Sequence, residues 1–235
     1  MKQYLTFFAL FLFFSTTLAS PFVDEKKLTE TENLVKAGSK SVTLLGTQVN
    51  VGEIAPNFKV VNENFTPVHL KDFAGHAVLI SVVPSLDTGV CSLQTKRFNE
   101  EVATFDNNVV MLTISNDLPF AQKRFCKIEN IDKVKVLSDS VWRDFAYKYG
   151  LLIKDMGLLT RAIFVINQEG KVTYKELVAN ISNHPDYDKA LAALQVLITK
   201  KTEQTSKPAV ESSQPKIKNK IPPSPETKKP IKSKL

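Results

Sequence analysis

The sequence predicts an α/β domain built on a mixed central sheet flanked by helices. Three observations carry this. Short apolar runs of strand length alternate with amphipathic helical segments through the middle of the chain, as parallel strands covered on both faces require. Two β-prone runs then flank Asn167-Gln168-Glu169-Gly170-Lys171, a hairpin signal that adds antiparallel pairing. A last amphipathic stretch, with Tyr187, Leu191, Leu194 and Ile198 on one helical face, closes the series.

Residues 1–19 are ordered like a secretory signal. Lys2 precedes an almost continuous apolar run from Tyr4 to Phe14, and Ser15-Thr16-Thr17-Leu18-Ala19 offers small residues before a cleavage point after Ala19. The run is short for a membrane-spanning helix. The expectation is an exported protein, periplasmic or extracellular, soluble after signal cleavage. Residues 20–40 are polar and charged and are expected to form a leader or loose helix outside the core. Ser41 to Val51 holds two β-prone runs around Gly46 and predicts an N-terminal β-hairpin, after which Ile54 to Phe58 opens another extended piece.

Ala77–Val83, Val109–Ile114 and Val134–Leu137 are predicted central strands. Phe98, Val102 and Phe105, at i, i+4 and i+7, give the helix after Cys91 an apolar face. Asp117-Leu118-Pro119 predicts a helix start with Asp117 as N-cap and a proline just inside it, the helix then carrying Phe120 to Cys126. Trp142, Phe145, Ala146 and Tyr149 form a core-facing helical stripe, and Ala162–Ile166 and Val172–Leu177 are the strands of the late hairpin. The folded domain is expected over residues 41–199.

Beyond Thr199 the character changes. Six prolines fall between Pro208 and Pro230, and Lys200 to Leu235 hold ten Lys against three Glu. That excess equals the net charge of +7 of the whole chain, so residues 1–199 are neutral overall. Residues 200–235 cannot bury enough apolar surface to offset their ordering entropy and are expected to be a disordered basic tail. The charge therefore makes no case for nucleic-acid binding by the domain. Exposed Lys clusters are suited at most to weak, salt-dependent contact with anionic envelope surfaces. His69, His76 and His184 are scattered, the two cysteines are not a Cys-x-x-Cys pair, and the glycine patterns that cradle phosphates or dinucleotides are absent, so neither metal nor cofactor is expected.

Cys91 and Cys126 are the chain's two cysteines. Outside the cytoplasm an isolated pair reads first as a structural disulfide. The surroundings of Cys91 argue for another reading. It follows a strand and opens a helix, where unpaired backbone N–H groups and the helix dipole favour negative charge on sulfur. Thr88 lies three residues earlier on the same turn, and its hydroxyl is placed either to meet whatever approaches the sulfur or to cap the helix.

Pro84-Ser85-Leu86-Asp87-Thr88-Gly89-Val90-Cys91 resembles the peroxidatic loop of the thiol peroxidase branch of the peroxiredoxins. Asn116-Asp117-Leu118-Pro119-Phe120-Ala121-Gln122-Lys123-Arg124-Phe125-Cys126 resembles that branch's resolving-cysteine helix. The likeness extends over most of residues 41–199. It implies a thioredoxin-like fold, a homodimer, and reduction of hydrogen peroxide or organic hydroperoxides. By the match, Cys91 is the peroxidatic residue and Cys126 the resolving one. They would form an intramolecular disulfide that a thioredoxin-like dithiol donor reduces. Arg161, just before the Ala162–Ile166 strand, matches the family's arginine, Thr88 would hold the peroxide oxygen, and Pro84 would shield the sulfur. The competing reading is an exported thioredoxin-fold binding or scaffold protein with a structural disulfide and an anion-docking tail.

Overall fold

The structure, a computed structural model, describes residues 28–105 and 107–205. The expected signal segment 1–19, the start of the leader and residues 206–235 of the tail lie outside the described residues. Strand β1 (Glu30–Ala37) and strand β2 (Lys40–Leu45) form an antiparallel hairpin turning at Gly38, whose φ of +63° is a conformation glycine adopts without strain. Part of the expected leader is therefore a strand, and the hairpin lies one strand earlier than the expectation around Gly46. The sequence of β1, ETENLVKA, hides this because only Val35 is buried; the rest faces outward, and a register shift between Thr31 and Val35 breaks the alternation.

Strands β3 (Lys59–Val61), β4 (Pro67–His69) and β5 (Ala77–Val82) follow, then helix α1 (Gly89–Glu101), β6 (Val109–Ser115), α2 (Pro119–Glu129), β7 (Lys135–Ser138), α3 (Asp144–Tyr149), β8 (Leu152–Ile153), β9 (Ala162–Ile166), β10 (Val172–Leu177) and α4 (Tyr187–Thr205). The main sheet has the order β10-β9-β5-β6-β7-β3-β4. It is mixed: β5, β6 and β7 run parallel, while β9, β10, β3 and β4 join antiparallel. A smaller sheet joins β1, β2 and β8. Helix α4 extends to Thr205, past the expected domain end at residue 199.

Every residue of β5 is buried, and the strand period of two sends side chains to both faces. Val78, Ile80 and Val82 join a core with Phe58, Phe145, Tyr149 and Phe164 on the α3 side, where Phe58 meets the Phe145 ring edge-on at 5.2 Å. Ala77 and Leu79 join Phe98, Met111, Ile163, Ala190 and Leu194 under α1 and α4. Ser81 faces this second side and is fully buried, a polar residue in an otherwise apolar row.

Two predicted apolar stripes differ from what is observed. Helix α1 ends at Glu101; Val102 sits in a 3-10 turn and Phe105 caps it, so of the predicted face only Phe98 is fully buried. Trp142 precedes α3 and is exposed, its ring covered by the Lys59 ammonium at 3.8 Å, while Phe145, Ala146 and Tyr149 are buried as predicted.

Candidate active site

Cys91 occupies the third position of α1, and its residue is fully buried. The buried face of α1 comprises Cys91, Gln94, Thr95, Phe98 and Asn99, a helical stripe that is mostly polar. Thr88 holds the N-cap position with extended backbone, yet its side chain caps nothing. The hydroxyl instead lies 2.8 Å from Cys91 Sγ and 3.0 Å from the Ser85 carbonyl oxygen. The cap reading of Thr88 thus fails on geometry: its one proton is directed to the sulfur or to the loop, not to the helix.

Arg161 reaches the same sulfur from the start of β9. The side chain is 1 % exposed, and its Nη2 donates to Cys91 Sγ at 3.2 Å. Its remaining donors are held fast. Nε and Nη2 donate to the Ile181 carbonyl at 3.0 and 2.8 Å, and Nη1 donates to Gln94 Oε1 at 2.5 Å. Gln94 Nε2 in turn donates to Ser81 Oγ at 2.7 Å, which explains the buried serine in β5. None of these acceptors is a carboxylate. A buried guanidinium so placed is complemented by negative charge on sulfur or on an oxygen beside it. Because a guanidinium only donates, Cys91 Sγ must act as the acceptor.

The loop preceding Cys91 is pinned from outside. Pro84 is buried two residues after the end of β5; Val83 N–H still donates to the Ile114 carbonyl, and Pro84, with no N–H, cannot carry the ladder further. Asp117, predicted to cap α2, does not: Leu118 takes the N-cap position. The Asp117 side chain accepts from Ser85 Oγ, from the Leu86 backbone N–H and from Ser115 Oγ, each at 2.8 Å. Three well-aligned donors outside the helix outcompete the single N–H a cap would satisfy.

Cys126 lies on α2, half-buried, and does not meet Cys91. Its neighbour Phe125 packs against the small cluster of Val83, Leu86 and Cys91, whereas Cys126 packs with the α1/α4 core. Cys126 lines a separate cavity of about 430 Å³ with Gln122, Glu63, Phe73 and Val136. Burial pushes its thiol up to about 11, with the nearby Glu63 carboxylate adding to the effect. Both cysteines are free. On the Cys91 side, a cleft of about 280 Å³ opens between Thr88, Gly89 and Ser92 of the loop and helix and Arg124, Phe125 and Ile128 of α2.

The structure therefore brings together Cys91, Thr88 and Arg161, with Pro84 in the same loop, and leaves Cys126 apart. Sequence reasoning missed Gln94, Ser81 and Asp117. The one local signal was the polar i, i+3 pair Cys91 and Gln94 on a helix face that must point inward.

The redoxin family pattern matches residues 50–191. A thiol peroxidase of Oceanobacillus iheyensis is 51% identical over 65% of this chain and 93% of its own length. The thiol peroxidase of Bacillus subtilis is 46% identical over 67% of this chain and 93% of its own. Among solved structures, a peroxiredoxin-like protein from Aquifex aeolicus superposes with a TM-score of 0.67 at 40% identity, covering 72% of this chain and 98% of that one. With a thioredoxin-like sheet, a buried helix-opening cysteine and these relatives, the chain belongs to the redoxin family, in the thiol peroxidase branch of the peroxiredoxins.

Proposed function

We propose that this thiol peroxidase reduces hydrogen peroxide and organic hydroperoxides through Cys91. One observation carries the assignment: Cys91 Sγ lies within hydrogen-bond reach of both the Thr88 hydroxyl and the Arg161 guanidinium, in a buried site. The sulfur attacks the terminal peroxide oxygen. An S–O bond forms as the O–O bond breaks, and the leaving oxygen takes a proton to depart as water or an alcohol. Arg161 stabilises the charge passing from sulfur to the leaving oxygen, and Thr88 orients the peroxide. Pro84 keeps water off the sulfur.

Cys126 then resolves the sulfenic acid. Its sulfur bonds to that of Cys91, the sulfenic oxygen leaves as water, and a thioredoxin-like dithiol donor returns the two electrons by exchange. Because Cys126 sits behind Phe125 with its thiol raised to about 11, resolution requires α2 to loosen and turn. The test is trapping. In Cys126→Ser, one equivalent of peroxide should leave Cys91 as a dimedone-reactive sulfenic acid by mass spectrometry, while wild type gives the Cys91–Cys126 disulfide. Dimedone adduct on neither protein would reject the mechanism.

Three readings rest on sequence alone. Export through residues 1–19 predicts a mature chain beginning at Ser20. Family likeness supports a homodimer, checked by sedimentation. The Lys-rich tail supports anionic envelope contact, which deletion of residues 203–235 should abolish and which unchanged association would remove.

A further inference from the structure

The elements carrying the two cysteines are joined by one hydrogen-bonded chain, and Asp117 is its hub. From the Cys91 loop, Ser85 Oγ and the Leu86 N–H both donate to the Asp117 side chain. On the other side, Ser115 Oγ donates to Asp117 Oδ2 and accepts from Gln122 Nε2 at 3.0 Å. Gln122 lies one helical turn before Cys126 on α2, is 1 % exposed, and also donates to the Leu137 carbonyl at 2.9 Å. Ser138 Oγ, at the end of β7, holds the Asp117 backbone carbonyl at 2.6 Å. A continuous polar path thus runs from the turn that shapes the Cys91 site to the face of α2 that carries Cys126.

We infer that Asp117 is a positioning residue that holds the Cys91 loop and helix α2 in their peroxide-reactive arrangement as a unit, so that resolution requires its contacts to break. This rests on the two-cysteine cycle proposed above. The loop and α2 must both leave their places before the sulfurs meet. Since the loop bonds the Asp117 side chain directly and α2 reaches it through Gln122 and Ser115, loosening either withdraws support from the other. Asp117 therefore has opposite effects on the two half-reactions: it favours attack on peroxide and opposes disulfide formation. A residue that only stabilised the fold would slow both or neither.

The experiment is a single-turnover series on reduced, full-length protein mixed with hydrogen peroxide, acid-quenched and read by mass spectrometry. It yields a peroxide-dependent rate constant for loss of the Cys91 thiol and a peroxide-independent one for disulfide formation. Asp117→Ala should slow the first about tenfold and speed the second about tenfold, since the lost bonds support only the reactive arrangement. Asp117→Asn keeps one acceptor oxygen and can bond Ser85 through its amide, so both constants should stay within about threefold of wild type. Constants that move in the same direction in Asp117→Ala, or an unchanged disulfide step, overturn the proposal. Should Asp117→Ala not fold, Ser85→Ala removes one loop bond and must show the same opposed changes in smaller measure; parallel or absent changes there overturn it equally. Wild-type protein that loses the Cys91 thiol yet never forms the Cys91–Cys126 disulfide would instead defeat the resolving cycle itself.

Discussion

Replacing Arg161 with methionine removes the fixed positive charge that donates to Cys91 Sγ while keeping a side chain of comparable length. In the structure Arg161 supplies a donor to the sulfur at 3.2 Å, and three further hydrogen bonds, to Ile181 and Gln94, hold it there. Losing one preorganised donor to charge that develops in a transition state costs about 2.7–4 kcal/mol, a factor of about 10²–10³ in rate. The second-order constant for oxidation of Cys91 by hydrogen peroxide, from stopped-flow mixing, should fall by that factor. Arg161→Lys should lose less, about tenfold, because an ammonium keeps the charge but not the fork that reaches Gln94 and Ile181 together. Stability should fall too. The substitution strands the Gln94 Oε1 and Ile181 carbonyl acceptors at about 1–3 kcal/mol each, offset in part by relief of a buried charge. Rates are therefore compared only where denaturant curves show the variant folded. A folded Arg161→Met protein within threefold of wild type would refute the electrostatic role.

Thr88→Val should reduce peroxide oxidation by about 10²-fold, whereas Thr88→Ser stays within a few-fold, because the hydroxyl is spent on Cys91 and Ser85. The same substitution should cost less stability than the ~1 kcal/mol typical of a lost cap; a larger loss in urea would restore the cap reading. In Cys91→Ser protein, alkylation of Cys126 by iodoacetamide should be slow at pH 8 and rise with a midpoint near 11, whereas a midpoint near 9 would place the thiol in solvent. Asp139 is buried and its carboxyl is pushed up to about 7, mainly by desolvation. The native state then holds this proton more tightly than the unfolded chain, so the contribution is present below about pH 4 and lost as pH rises through 7. Asp139→Asn should flatten that part of the stability profile measured by urea unfolding, and an unaltered slope would exclude Asp139 as its source.

Most of the main sheet was legible because its strands are short apolar runs buried on both faces, which leaves little ambiguity at β5, β6 and β9. Strand β1 was not, since an edge strand with one buried residue reads as polar linker. The site divides the same way. Thr88 and Cys91 are three residues apart on one turn, a relation that local spacing exposes. Arg161 entered through family likeness, because nothing local reveals that a residue 70 positions downstream shares a sulfur with Cys91. The roles of Gln94, Ser81 and Asp117 stayed hidden because their partners are distant in sequence. Gln94 and Ser81 are polar where hydropathy looks for apolar side chains, and for all three the decisive partner lies 13 or more residues away. The cap expectation for Asp117 used a valid local rule, overridden by donors that only the tertiary fold supplies.

The most direct test is steady peroxide consumption by the reduced protein with a dithiol donor, run beside Cys91→Ser. With Cys91 as the nucleophile, wild type turns over rapidly and the variant shows none beyond the donor's own. Turnover that survives the loss of Cys91, or a wild type no faster than the donor alone, would contradict that assignment.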